Sequence, residues 1–377
     1  MPSLVIDARM IDASGIGVYL RNILPYLATE FTVTLLGDPS KLQVFSWSQK
    51  VKILPLEAPI YSLKEQWALK TAIPPCDLFW SPHYNIPLLP IKAAHRVVTI
   101  HDTYHLAYRH TLSLAQRVFA TTFLNAAVKL SERVITVSAF SKSEILRYTH
   151  ASKKNIQVIP NGLNHETYKK LDLAETKARL YELLPSIPPS FILFVGNVKP
   201  HKNLKTLLKA YATLPPVLRK QHQLVIAGKK DGFLTPDSDL ANAFKEDLAL
   251  EADTFFTGYV PDEVLPLLYN SASLFVFPSV YEGFGLPPLE AMACGCPVVA
   301  STAASIREVC GEAALYFDPQ EWKQLARQME AVLTNEELQS TLIQAGDNQS
   351  KNYSWYRTAQ THLSVFRELL DPGKQVN

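Results

Sequence analysis

Two glutamates and a glycine- and proline-rich backbone crowd one stretch of this 377-residue sequence, Tyr281-Glu282-Gly283-Phe284-Gly285-Leu286-Pro287-Pro288-Leu289-Glu290. An apolar run at 274–277 empties into it, and a helix is expected to begin at Pro287-Pro288, where a missing N–H is tolerated. Glycines let backbone N–H groups come close to a ligand. The start of a helix adds unpaired donors and a favourable dipole, and together these suit a diphosphate. Glu282 then lies in the loop and Glu290 in the first helical turn. Their spacing sets them about 80° apart on a continuous helix, so they would touch different parts of one extended ligand. Taken alone, the same pair reads equally as an exposed loop acid and a first-turn carboxylate favoured by the dipole.

Other segments offer complementary chemistry. Lys199 and Lys202, in Gly196-Asn197-Val198-Lys199-Pro200-His201-Lys202-Asn203, could bind phosphate or simply solvate a helix start. His101-Asp102 closes a buried apolar run at the edge where function collects in open α/β sheets. His101 and His105 are four apart, but they leave a strand and have no clear third ligand, so no metal site is expected there. Gly15 and Gly17, in Ser14-Gly15-Ile16-Gly17, follow the first strand as a loop that could meet a diphosphate or an acceptor. The loop lacks the third glycine and the later acidic residue of a dinucleotide fingerprint. Ser141 with Glu144 reads as a capping box, and Asp237-Ser238-Asp239 as a helix cap rather than a metal motif.

The elements that must hold these residues alternate. Short β-rich runs at 4–8, 32–36, 51–54, 78–81, 97–101, 134–137 and 157–159 are separated by segments of helical length at 17–29, 62–71, 114–130 and 141–149. The rhythm restarts with strands at 191–195, 224–227, 254–256, 274–277, 298–300 and 315–317, and helices at 204–214, 239–248, 262–270 and 288–294. A helix at 175–184 lies near the boundary, and helices at 322–333, 336–345 and 355–370 close the chain. The simplest fold is α/β, with two doubly wound parallel sheets whose crossover helices bury both faces.

The bulk properties agree. A chain of 377 residues exceeds what one core usually supports, and 47% hydrophobic with 19% charged residues is ordinary globular composition. A net charge of +2 gives no footprint for nucleic acid. Four cysteines, three of them in core-like segments, suit reduced thiols, and no apolar run is long enough to span a bilayer. A cytoplasmic protein is expected, at most peripheral on the inner face of the membrane. The segment 112–130, flanked by Arg109 and His110, reads as a core-packed amphipathic helix before it reads as a membrane surface.

The stretch from Glu282 to Ala300 resembles the signature of the GT-B glycosyltransferases of family four nearly residue for residue, and the likeness extends through most of the chain. Phe194–Leu204 looks like the strand, loop and helix that open that family's donor domain, with Lys202 where its diphosphate lysine stands. Many members carry arginine directly after the glycine; here it is Asn197, and Lys199 and His201 are the nearest substitutes. The segments 158–162, 224–228 and 256–260 are also similar, and His101 matches a family histidine that faces the donor sugar.

The resemblance implies two Rossmann-like domains facing a central cleft: an acceptor-side domain at 1–165, a donor-binding domain at 166–354, and a C-terminal helix at 355–377 crossing back to the first. It implies transfer with retention, without metal or cofactor. Glu282, His101 and Lys202 would be catalytic, with Lys202 on the departing diphosphate and Glu282 on the sugar hydroxyls. Glu290 would hold the ribose. Phe284, Gly285, Leu286, Gly196 and Asn197 would line the donor, with Tyr259 and Val260 near its base. The partners implied are a nucleotide-sugar donor and a glycan or lipid-linked acceptor. The lysine motif resembles that of bacterial mannosyltransferases using GDP-mannose in polysaccharide or lipopolysaccharide assembly. A UDP-sugar donor and a non-catalytic sugar-nucleotide-binding subunit are the alternatives.

Overall fold

The computed structural model describes residues 1–228, 250 and 253–371. The chain forms two compact units, Met1–Gly162 joined by the stretch from Ser354 onward, and Leu163–Tyr353.

The first unit is built on seven strands, β1 (Ser3–Asp7), β2 (Thr32–Gly37), β3 (Lys52–Pro55), β4 (Cys76–Ser81), β5 (Ala93–Thr99), β6 (Arg133–Thr136) and β7 (Ile156–Val158). Their order is β3-β2-β1-β4-β5-β6-β7, with every pair parallel. The second unit has β8 (Phe191–Val195), β9 (Gln223–Ala227), β10 (Thr254–Gly258), β11 (Leu274–Phe277), β12 (Val298–Ser301) and β13 (Leu315–Phe317) in the order β10-β9-β8-β11-β12-β13, again all parallel. Each sheet reverses its winding once, between β1 and β4 and between β8 and β11. Such a switch point opens a crevice at the carboxyl ends of its two strands.

All thirteen expected strands are present, because runs such as Phe-Ile-Leu-Phe-Val and Leu-Phe-Val-Phe are buried on both faces. The bounds of β5 differ: it begins at Ala93, where pairing with β4 starts, and ends before His101, which stands just beyond the strand. Four-to-six-residue helices at Pro39–Leu42, Pro216–Gln221 and Ile306–Cys310 have no counterpart in the sequence reading, being too short to show a period. The expected helix at 239–248 and the Asp237-Ser238-Asp239 motif lie outside the described residues.

The last helix, Trp355–Leu370, packs on Ser14–Glu30 within the first unit. Its Phe366 is fully buried against Trp80 and Phe31, a contribution of about 1.5–3 kcal/mol. Beneath it runs a buried polar chain whose direction the chemistry dictates. His362 Nδ1 lies 2.7 Å from the Thr358 carbonyl and must donate, so Nε2 accepts from Tyr19 Oη at 2.5 Å. Thr99 Oγ1 then donates to Tyr19 at 3.1 Å and accepts from Trp80 Nε1 at 3.0 Å.

Candidate functional site

In the second unit, β11 is wholly buried and releases the chain into the loop that carries Glu282. The helix after it spans Leu286–Ala293 and is entered through Gly285 at φ 103°, a left-handed backbone that favours glycine. It starts at Leu286, earlier than the expected Pro287-Pro288, and both prolines sit within the first turn. Leu286 is therefore the residue that brings an N–H there. Ser305, fully buried, lies 3.0 Å from the Glu282 carbonyl and 2.9 Å from the Phe284 carbonyl, so its one hydroxyl proton is shared between them and pins the loop. Asn203, itself left-handed, donates to the carbonyl of Pro278 at 3.0 Å, and Val280 N–H reaches the His201 carbonyl at 2.8 Å. The loops leaving β8 and β11 are thus stitched together.

That stitching brings Lys202 Nζ to 2.7 Å from Glu282 Oε1, with both side chains still partly exposed at 19% and 14%. The ammonium also lies 5.6 Å from the centre of the Phe277 ring. The pair stands at the switch point of the second sheet.

Glu290 departs from the sequence reading. Because the helix begins at Leu286, Glu290 is its fifth residue and no acidic group occupies the first turn. The carboxyl group is buried, accepts a hydrogen bond from Tyr269 Oη at 3.0 Å and is also bonded by Tyr168. Burial pushes its pKa up to about 7, although the two tyrosines act to lower it. Gly196 N–H bonds to the Ala227 carbonyl at 2.9 Å, and Asn197 and Lys199 are exposed. Phe284 is buried, its ring edge-on to Tyr353 at 5.6 Å. Beyond β10, Tyr259 is 67% exposed while Val260 is buried.

In the first unit, His101 Nε2 lies 3.0 Å from the Pro82 carbonyl and must donate to it, which leaves Nδ1 as the acceptor of a neutral ring. Burial lowers its pKa, and the ring stands edge-on to Tyr19 at 4.9 Å. Asp102 accepts the Tyr104 N–H at 2.9 Å and shapes the following turn. Ser138, not Ser141, caps the helix Ala139–Tyr148; Ser141 is buried and donates to the His101 carbonyl at 3.0 Å.

The glycine loop after β1 is corrected as well. The helix begins at Ser14, so Gly15 and Gly17 lie within it. A Cβ on Gly17 would fall 2.3 Å from the Ile11 carbonyl oxygen, so that glycine serves close packing; Gly15 faces open space.

What sequence reasoning missed is a buried cluster at the switch point of the first sheet. Arg9, just past β1, binds Asp7 through Nε at 2.8 Å and Nη2 at 2.5 Å, Glu65 through Nη2 at 2.6 Å, and the Ala58 carbonyl through Nη1 at 3.2 Å. Glu65 also accepts from Asn85 Nδ2 at 2.6 Å and from the Tyr61 N–H at 2.9 Å. Tyr61 is held at φ 68°, which for a bulky residue costs about 1–3 kcal/mol. Burial, with His101, His105 and Arg9 nearby, pushes the pKa of His83 down to about 3. No local signal links Arg9 to Glu65, 56 positions apart.

Among the described residues no three His, Cys, Asp or Glu side chains gather as a metal ligand set, no helix is long and apolar enough to cross a membrane, and all four cysteines are free and buried. The helix Leu114–Leu130 buries Ala120, Phe123, Leu124, Ala127 and Val128, while Leu114 and Val118 are exposed.

Comparison with known proteins assigns both units. Residues 185–349 match the model of the glycosyl transferases group 1, and residues 13–167 that of Glycosyltransferase Family 4. An O-antigen chain mannosyltransferase B of Escherichia coli is 30% identical over 312 residues, 82% of this chain and 78% of the relative. A serotype-specific mannosyltransferase WbdA of the same species is 31% identical over 254 residues, 67% of this chain, and the match spans only 31% of that relative's length. Among solved structures, sucrose-phosphate synthase from Thermosynechococcus elongatus superposes with a TM-score of 0.80 at 22% identity, covering 99% of this chain and 100% of that one. Anabaena HepE in complex with UDP and glucose gives 0.76 at 19% identity, covering 98% and 100%. With two family models covering its two units and a relative at 30% identity over most of its length, this chain belongs to glycosyltransferase family 4 and has the GT-B fold.

Proposed function

We propose that this chain is a retaining, metal-independent hexosyltransferase that moves mannose from GDP-mannose to a glycan or lipid-linked acceptor. The observation that carries the reading is the Lys202–Glu282 pair, 2.7 Å apart at the ends of β8 and β11 and directly ahead of the helix start at Leu286. A diphosphate arriving at Lys202 exchanges one anionic partner of the ammonium for another and frees Glu282 to accept from a sugar hydroxyl. Lys202 and the Leu286 N–H then stabilise charge growing on the leaving diphosphate, an electrostatic contribution that is usually the largest in such reactions. The acceptor proton passes to a leaving phosphate oxygen on the same face, so the chain supplies no general base. His101, neutral with Nδ1 as acceptor, hydrogen-bonds a sugar hydroxyl, and Glu290 keeps its role toward the ribose. The choice of mannose is supported by the names of the E. coli relatives. Peripheral contact with a membrane surface belongs to the same proposal, supported by exposed Leu114 and Val118 on one helix face.

The test is thermal-shift titration with GDP-mannose, GDP, UDP-glucose and UDP, since a ligand bound only by the folded state raises the melting temperature with occupancy. Transfer is then assayed with chelator present, and the anomeric configuration of the product is read by NMR. GDP-mannose is expected to bind and react with retention, and Glu282→Ala to lower turnover strongly. Binding without transfer or hydrolysis would leave a non-catalytic subunit, and wild-type turnover in Glu282→Ala would remove that residue from the mechanism.

A further inference from the structure

The backbone of Glu282 is held in place beside Lys202. Its carbonyl shares the hydroxyl proton of buried Ser305 at 3.0 Å. Its loop is tied to the one after β8 by Asn203 Nδ2, which donates to the Pro278 carbonyl at 3.0 Å, and by the Val280 N–H on the His201 carbonyl. Asn203 Nδ2 also reaches the Pro319 carbonyl at 2.8 Å, so the loops leaving β8, β11 and β13 meet in one knot. The side chain of Glu282 can turn, but its carboxylate stays within a side chain's length of the ammonium, and the two are 2.7 Å apart. Their charges, +1 and −1, cancel, and Asn197, directly after Gly196, adds none. A diphosphate arriving here meets a cation that a neighbouring carboxylate already neutralises.

We propose that Glu282 also discriminates donor from product: it admits a diphosphate that carries a sugar and opposes the sugar-free nucleoside diphosphate. This inference rests on the proposed transfer. In the donor, the terminal phosphate oxygen is esterified and uncharged, and hydroxyls of the sugar donate to Glu282. Transfer breaks the bond between that oxygen and the anomeric carbon, the electron pair stays on oxygen, and the phosphate takes up the acceptor proton. A terminal phosphate has a second pKa of about 6, so near neutral pH that proton passes on to water. The product has then gained one negative charge and lost its hydroxyl donors, both on the side that faced Glu282. Like charges set against each other weaken binding. If Lys202 stays with Glu282, the phosphate lacks its counter-ion; if Lys202 turns to the phosphate, Glu282 lacks one. An ammonium shared between the two, which its three N–H donors permit, still leaves two anions on one cation. Departure of the product restores the Lys202–Glu282 pair, so the carboxylate that holds the sugar also speeds release, a step that limits turnover in many enzymes.

Binding is measured without acceptor, by calorimetry, on wild type, Glu282→Gln and Glu282→Ala, using GMP, GDP and GDP-mannose and the series UMP, UDP and UDP-glucose. In whichever series binds, wild type is expected to hold the nucleotide sugar more tightly than the sugar-free diphosphate. Both variants should bind that diphosphate about tenfold more tightly than wild type, and the monophosphate, which lacks the terminal group, equally well. Glutamine can still accept from a sugar hydroxyl and alanine cannot, so the nucleotide sugar should lose affinity in Glu282→Ala. A gain in affinity is not what a damaged fold produces, so the sign of the change separates discrimination from a structural role. Three results would overturn the proposal: diphosphate binding unchanged or weakened in both variants, an equal gain for the monophosphate, or a wild type that prefers the sugar-free diphosphate. Nucleotide-sugar binding by wild type in those cases leaves the proposed function standing. Absence of binding by any nucleotide would remove both.

Discussion

The two units repeat one winding, and at the same topological position each sets a cation against carboxylate. The first buries Arg9 between Asp7 and Glu65, with side-chain exposures of 6%, 10% and 0%, and ties every arm of the guanidinium into a hydrogen bond. The second pairs Lys202 with Glu282 by one contact, at 19% and 14% exposure. Guanidinium is a rigid fork that a buried network can saturate; ammonium is a point charge on a flexible stem that can change partners. The first pair reads as fixed architecture around a pocket, the second as a contact that a ligand can open. The same fold position thus holds a saturated, buried ion cluster in one unit and a single, partly exposed ion pair in the other.

Three measurements would break or sharpen that contrast. The largest expected effect is that of Arg9→Met, which leaves Asp7 and Glu65 buried without their counter-ion and should cost about 3–5 kcal/mol in chemical denaturation. Lys202→Met should leave stability nearly unchanged, and equal destabilisation by the two variants would erase the distinction. Next, Lys202→Met should lower kcat by roughly 10²–10³-fold, the range found when one preorganised charge stabiliser is removed. Loss confined to KM would make Lys202 a binding residue only.

The smallest effect is a tilt in stability with pH. His362 is pushed down to about 4 by burial, so its stabilising contribution is complete above its ordinary 6.5 and is lost as pH falls from there through 4. His83, at about 3, adds to the same acid loss. Glu290, raised from 4.5 to about 7, has the opposite sign: its contribution is complete below 4.5 and is lost as pH rises through 7. Hydrogen exchange at pH 7.5 and pH 5 should therefore show the first unit loosening on acidification and the second unit tightening. Glu290→Gln should flatten the second response. Parallel responses in the two units would contradict the assignment of these groups.

How much of this was legible beforehand follows sequence distance. Strands were readable because the central ones are local apolar runs buried on both faces, and Glu282, Gly285 and Leu286 because loop and helix start are contiguous. The start of the helix at Ser14 was not readable, since Ala13 stands at its cap position without a capping side chain and a glycine at position 17 looks like a loop until its packing on Ile11 is known.

By itself the sequence determined the two parallel sheets, the family signature, and the presence of Lys202 and Glu282 in loops that follow strands. Only the tertiary structure decided that these two side chains meet, that Glu290 is bonded by two tyrosines instead of lying at the helix start, and that Arg9, Glu65 and Asn85 form one buried cluster. Periodicity and turn chemistry act over a few neighbouring residues. A buried ion cluster depends on the strand order that sets β1 beside β4, and no local pattern carries that order.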